Sequence, residues 1–195
     1  MKKFFFLLLA LVLVFSLSST ASAELNYKWV DVQNAVQQTF GGTGKFYPIE
    51  EVSATIWLPD EYTSVDPAEA GMGDGCVGFY VLGENAYVLI NYTDSEGLNL
   101  DGYYNEALQK GADVGKILVN DIPAIEQDNV AEDSFLLLFH TRDDKLLQVI
   151  FSPLSNPVNG FIMSSIQPTD VAEETAEVAA EPAAPVNPVS GLISK

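Results

Sequence analysis

The stretch FLLLFHTRDDKLLQVIF, residues 135–151, holds the only histidine of the chain, His140, and its only arginine, Arg142, beside Asp143 and Asp144. An imidazole next to carboxylates can act as a general base, activate a nucleophile or ligate a metal. Each of these chemistries needs partners. A Ser-His-Asp or Cys-His system needs a nucleophile beside the ring, and a zinc site needs several His or Cys ligands. The chain offers one His and one Cys, Cys76, for all of them. No GxSxG, SxxK, HExxH or Walker loop occurs, and GMGDG at 71–75 precedes a strand-like run instead of opening a helix. Asp is a favoured turn residue. The cluster therefore reads as the polar end of a β-hairpin, His140 is expected to have no essential role, and no catalytic, cofactor-binding or metal-ligating residue is assigned.

Paired carboxylates are the one catalytic device the composition leaves open, because a carboxylate-dependent hydrolase needs only two acids, one with a raised pKa in a cleft. The most acidic connection is DEYTSVDPAEAGMGDG, residues 60–75, with 5 acids, 3 glycines and no base in 16 residues. That exceeds the ~12–15 residues beyond which a connection is usually functional or disordered. Two readings follow. One is a mobile acidic loop. The other is a contact surface for a cationic protein or ion through Asp60, Glu61, Asp66, Glu69 and Asp74, with weak calcium binding by Asp66, Glu69 and Asp74 as a variant. EF-hand spacing is absent, and no cofactor is implied.

The N-terminus supplies the compartment. MKK is a short cationic start, an apolar run follows from Phe4 to Leu17, and Ala21 and Ala23 form the A-x-A pattern before Glu24. Residues 1–23 are thus expected to be a cleaved signal peptide and the protein to be secreted, extracellular or held in the cell envelope, without a membrane span after cleavage. With Lys2 and Lys3 removed, the formal charge of −18 becomes −20. Such a surface repels phosphate backbones and anionic lipids, which excludes nucleic acid as a partner. The lone Cys76 can form no intramolecular disulfide. From Pro168 on, the chain carries 4 of its 10 prolines, 5 acids and no aromatic residue. Residues 168–195 are expected to be a disordered acidic tail, leaving 24–167 as a single domain.

Within that domain, Trp29, Val32, Val36 and Phe40 recur at helical spacing before Gly41 and predict a helix over 27–39. The runs GKFYPI, ATIWLP, CVGFYVL and AYVLINY predict strands, the last two joined by a compact turn at 83–85. Asn99 caps a helix over 100–110, KILVND, PAIEQDNV, SFLLLFHTR and KLLQVIF follow as strands, and a last helix starts at Pro157. An even loop around Asp143 and Asp144 would pair His140 with Leu147 and Leu138 with Val149. Both faces of that hairpin are then apolar, and three helices are available to cover them. The fold expected is α+β: an antiparallel β-sheet covered by helices on both faces, an α/β/α sandwich.

This order of elements, with IWLPDEY after the meander, a central helix following LNL and a closing helix ending FIMSSIQ, resembles the PsbP-like α/β/α sandwich family. That fold is shared by photosystem auxiliary proteins, a small Ran-binding nuclear transport factor and small exported bacterial proteins. The resemblance spans nearly all of 29–167 and is carried by element order and loose signatures, IWLPD and SSIQ. It implies a binding or assembly role without chemistry, and no metal site carries over because no matching ligand set is present. The function expected is a non-catalytic exported binding or assembly module, the alternative being a carboxylate-dependent extracellular hydrolase.

Overall fold

The computed structural model describes residues 24–41, 43–141 and 143–169. The expected signal peptide at 1–23, Arg142 and all but the first two residues of the expected tail lie outside them. Among the described residues, no helix is long and apolar enough to cross a membrane.

The elements run β1 (Leu25–Tyr27), α1 (Trp29–Phe40), β2 (Lys45–Ile49), β3 (Ala54–Leu58), β4 (Thr63–Ser64), β5 (Cys76–Leu82), β6 (Ala86–Asp94), α2 (Leu100–Gln109), β7 (Asp113–Val119), β8 (Ile122–Asn129), β9 (Ser134–His140), β10 (Lys145–Ser152), α3 (Asn159–Ser164) and β11 (Gln167–Pro168). The strands form an eight-stranded sheet of order β1-β7-β8-β9-β10-β6-β5-β4 and a separate three-stranded sheet, β11-β3-β2. β1 pairs parallel with β7, so the large sheet is mixed.

This corrects the expected antiparallel sheet covered by helices on both faces. The molecule is mostly β, and one face of the large sheet is covered chiefly by a second sheet. There Val88, Ile90, Leu137, Phe139, Leu147, Val149 and Phe151 meet Ile49, Ile56 and Leu58 of the small sheet and Ile162, Met163 and Ile166 in and just after α3. Burying each such side chain stabilises the fold by about 1.5–3 kcal/mol. α1 lies on the far side of the small sheet instead of on the large one. Its Trp29 and Val36 pack with Trp57 of β3, and the rings of Trp29 and Phe40 stand 5.7 Å from that of Trp57. Gly44, at φ +147, lies flat on the same indole, since a Cβ there would come within 2.4 Å of it.

On the opposite face α2 covers Ile125, Leu138 and Leu146 with Leu100, Tyr103 and Tyr104. Asn99 caps α2 as expected, its Oδ1 accepting from the Gly102 N–H at 2.9 Å. The helix reaches only part of the face. Phe79, Leu89, Ile150 and Leu136 stand directly opposite one another across β5, β6, β10 and β9. Val81 and Tyr87 form the next pair along. All six are partly exposed. The apolar run of β9 suggested burial on both sides; on the α2 side Leu138 is buried, while Leu136 lies beyond the helix.

The β9–β10 register also differs by one residue from the sequence expectation: His140 pairs with Leu146 and Leu137 with Val149. Asp144 adopts a left-handed conformation, φ 60, and Thr141 donates its N–H to the Lys145 carbonyl at 2.8 Å. A left-handed residue closes a three-residue loop where an even one was expected, so Leu138 and Val149 face opposite sides. The C-terminal boundary moves too. Pro168, assigned by sequence to the tail, pairs with Ala54, and the Thr169 N–H bonds the Ser53 carbonyl at 3.1 Å. β11 is the edge of its sheet, where proline's missing N–H costs no ladder bond.

Candidate functional site

The β9–β10 hairpin end is a closed set of turn contacts. His140 Nε2 lies 3.1 Å from Asp144 Oδ1, and the buried Ser95 hydroxyl donates to the same oxygen at 3.1 Å while accepting from the Gly97 N–H at 3.2 Å. The order is serine, aspartate, histidine. A nucleophile pathway needs the imidazole on the hydroxyl, and here the hydroxyl proton points to a carboxylate that is already bonded. Next to it, Asp143 accepts from Thr141 Oγ1 at 2.6 Å and from the Tyr92 hydroxyl. Those two donors hold the Asp143 carboxyl below its ordinary range. Burial first, then the Asp143 partner, raises the Tyr92 phenol. The geometry secures the turn to β6.

The acidic connection is anchored to the body through Tyr62 to Val65 and at Gly75, whose carbonyl accepts from the Tyr92 N–H at 2.7 Å. Tyr62 is buried, donates its N–H to the Pro59 carbonyl at 3.0 Å and accepts from Asn156 Nδ2 at 3.3 Å. β4 pairs with β5, and Val65 donates to Phe79 at 2.8 Å. Beyond it a series of turns leads back to Cys76, with Asp66 Oδ1 accepting from the Ala68 N–H at 2.9 Å. Asp60, Glu61, Asp66, Glu69 and Asp74 are all exposed along this path. They do not gather at one point: among the described residues no group of three or more His, Cys, Asp or Glu side chains is placed to hold a metal ion. Asp66, one of the three acids suggested for weak calcium binding with Glu69 and Asp74, accepts within its own turn.

A second acidic cluster escaped the sequence reading. Asp113 and Asp128 are directly opposed across β7 and β8, and Glu126, half-buried, lies over Gly115, where a Cβ would meet its Oε1 at 3.0 Å. Burial, then the charges of Asp128 and Asp113, raises the Glu126 carboxyl. Burial and Asp113 raise Asp128. Tyr27 on β1 is pushed up to about 12 by burial and by the Glu126 charge. The local signal was the alternation E-Q-D in IEQDN, which places Glu126 and Asp128 on one side of a strand. Their neighbour Asp113 is supplied by non-local pairing that no spacing reveals.

The bases contrast with these acids. Lys28 pairs with Asp121 at 3.0 Å, Lys116 with Asp101 at 2.5 Å and Lys145 with Asp94 at 3.6 Å, while Lys110 pairs with Glu106 one turn earlier on α2. Lys45 stands 4.8 Å over the Tyr47 ring. None of these ion pairs takes in the acids of the 60–74 connection or the Asp113–Glu126–Asp128 cluster.

No protein-family profile matches the chain, and no curated protein matches it in sequence. Among solved structures, the crystal structure of the Ran-binding protein Mog1p of Saccharomyces cerevisiae is similar, at 10% identity and a TM-score of 0.39, over 67% of this chain and 97% of that one.

Proposed function

We propose that this chain is a non-catalytic exported binding or assembly module that recruits a cationic partner, a basic protein or ion, through its carboxylates. The observation that carries the reading is the asymmetry of pairing: Lys28, Lys110, Lys116 and Lys145 are neutralised by carboxylates of the chain itself, whereas the acids at 60, 61, 66, 69 and 74 share in none of those pairs. The bases add little to the field a partner meets, and the acids set its sign. Exposed charges of this kind speed encounter more than they hold a complex together, and they are screened over about 8 Å at physiological ionic strength.

The test is association kinetics with a lysine-rich peptide as probe. Exchanging Asp66, Glu69 and Asp74 together for their amides should slow association several-fold, leave dissociation nearly unchanged and flatten the salt dependence. An unchanged association rate removes the connection from the binding surface. Export is tested separately by recovering the chain outside the producing cell with Glu24 as its first residue. The second reading, a carboxylate-dependent extracellular hydrolase, is favoured by the raised carboxyls of Glu126 and Asp128. It requires turnover of a glycan that Glu126→Gln abolishes in a folded protein.

A further inference from the structure

The open part of the large sheet is the feature that neither the core nor the acidic surface accounts for. Phe79, Leu89, Ile150 and Leu136 form an unbroken apolar row across four neighbouring strands, extended by Val81 and Tyr87. The Phe79 and Tyr87 rings stack edge to face at 6.1 Å. None of the six belongs to the three buried clusters. Grouped, partly exposed large apolar side chains mark an interaction surface, in contrast to single ones scattered over an exterior. We propose that this row docks an amphipathic helix of a basic partner protein, its apolar face on the sheet and its basic flank against the acidic turns that lie beside the row at one end of its strands. The inference rests on the binding-module reading and names the surface and the kind of partner.

Dimensions and charge both select this occupant. Four strands spaced about 4.8 Å apart span about 14 Å, the rise of about ten helical residues, which carries anchors at i, i+3 or i+4 and i+7. The β5–β6 turn and the β8–β9 connection lie at the same end of the sheet, since Ala86 starts β6 where Ser152 ends β10 and Ser134 starts β9. They carry exposed Glu84, Glu132 and Asp133. A second copy of the chain fits less well. Two copies would oppose their formal charges of −18, and the acidic turns beside the row would meet like charge instead of a basic flank.

The test uses the full chain and two helical peptides of identical leucine face, one flanked by lysines and one by glutamates. The lysine peptide should bind and the glutamate peptide should not. Leu89→Thr with Ile150→Thr, shown to be folded by unchanged Trp29 and Trp57 fluorescence, should weaken lysine-peptide binding at least tenfold, mainly through dissociation. Glu84→Gln with Glu132→Gln should slow association two- to threefold. Leu136→Lys, one substitution on the exposed side of β9, should repeat the loss and so guards against a folding defect in the double variant. Full affinity in the row variants, with loss only in the Asp66, Glu69 and Asp74 amides, overturns the row and leaves the binding-module reading standing. Failure of the lysine peptide to bind at any salt concentration overturns both. A concentration-dependent dimer dissolved by the row variants, or tighter peptide binding by a chain ending at Thr169, overturns the proposal in favour of a second copy or of the chain's own C-terminal segment.

Discussion

Replacing Glu126 by Gln should make the protein more stable at neutral pH. The substitution keeps the shape of a half-buried side chain lying over Gly115 and removes a charge that faces two others, Asp113 and Asp128. Burial of the carboxylate is the larger cost, and the charges of Asp128, two residues along β8, and Asp113, diagonal across β7, add to it; neighbouring pairs on a sheet are worth about 0.2–1 kcal/mol each. With two neighbours, and solvent screening at the exposed aspartates reducing each contribution, the gain is about 1 kcal/mol, or about 4 °C in Tm for a domain of this size. The sign follows from linkage. The folded carboxyl binds its proton more tightly than the unfolded one, so the stability it contributes is fully present below the unfolded pKa, about 4.3, and is lost as pH rises through the folded value. The gain from Gln is therefore complete near pH 7 and absent near pH 3.5. Urea denaturation at both pH values, followed through Trp29 and Trp57, measures it. An equal gain at both would show that packing, not charge, is responsible. Destabilisation at pH 7 would show that the carboxylate has a stabilising partner, and the account of this cluster would be wrong.

Asn120 is the other position where a large effect is expected. Its Oδ1 accepts from the Trp29 N–H at 2.9 Å, its Nδ2 donates to the Ser164 and Ile166 carbonyls at 2.8 Å each, and its φ is 48. Asn120→Ala loses three bonds of about 0.5–1.5 kcal/mol net in a left-handed turn position. It should cost about 3 kcal/mol by urea denaturation, with Asn120→Gly recovering about 1 kcal/mol by relieving the backbone alone. His140→Gln should change stability by less than about 0.5 kcal/mol and leave lysine-peptide affinity within a few fold, as titration of the folded variant would show.

What could be read from the sequence was set by local chemistry. The Asn99 cap and the periodicity after it define α2, and the short loop between CVGFYVL and AYVLINY defines the β5–β6 hairpin, because in both cases the determining residues are adjacent in the chain. β1 could not be seen this way. Tyr27 looked like the start of a helix, and only its pairing beside Val119, 92 positions later, makes it a strand residue. The small sheet is hidden for the same reason, since Thr55 meets Gln167 only in the folded chain. The hairpin register failed on one backbone angle: nothing in HTRDDK demands a left-handed Asp144, yet that angle turns Leu138 and Val149 to opposite sides. Among the candidate site residues, the five exposed acids of the 60–74 connection were legible as a charged run, whereas the opposition of Asp113 to Asp128 was not.

The open row and the excess of acid have a common physical consequence. An apolar sheet face that the described residues leave uncovered invites pairing with any other such face, and a sheet protein has few ways to prevent this short of covering it. Uniform negative charge is one, because two copies repel each other before their apolar rows meet, while a basic partner is attracted over the same distance. Pairing Lys28, Lys110, Lys116 and Lys145 with the chain's own acids reinforces the discrimination, since it leaves fewer free cations on one copy to engage the carboxylates of another. The crowding of carboxylates at Asp113, Glu126 and Asp128, which raises the Glu126 and Asp128 carboxyls, acts in the same direction. A carboxylate arrangement that destabilises the isolated fold becomes favourable once a cation stands beside it, so residues that cost stability alone can gain affinity in a complex. In the proposed complex, charge would select the partner and the apolar row would set how long it stays.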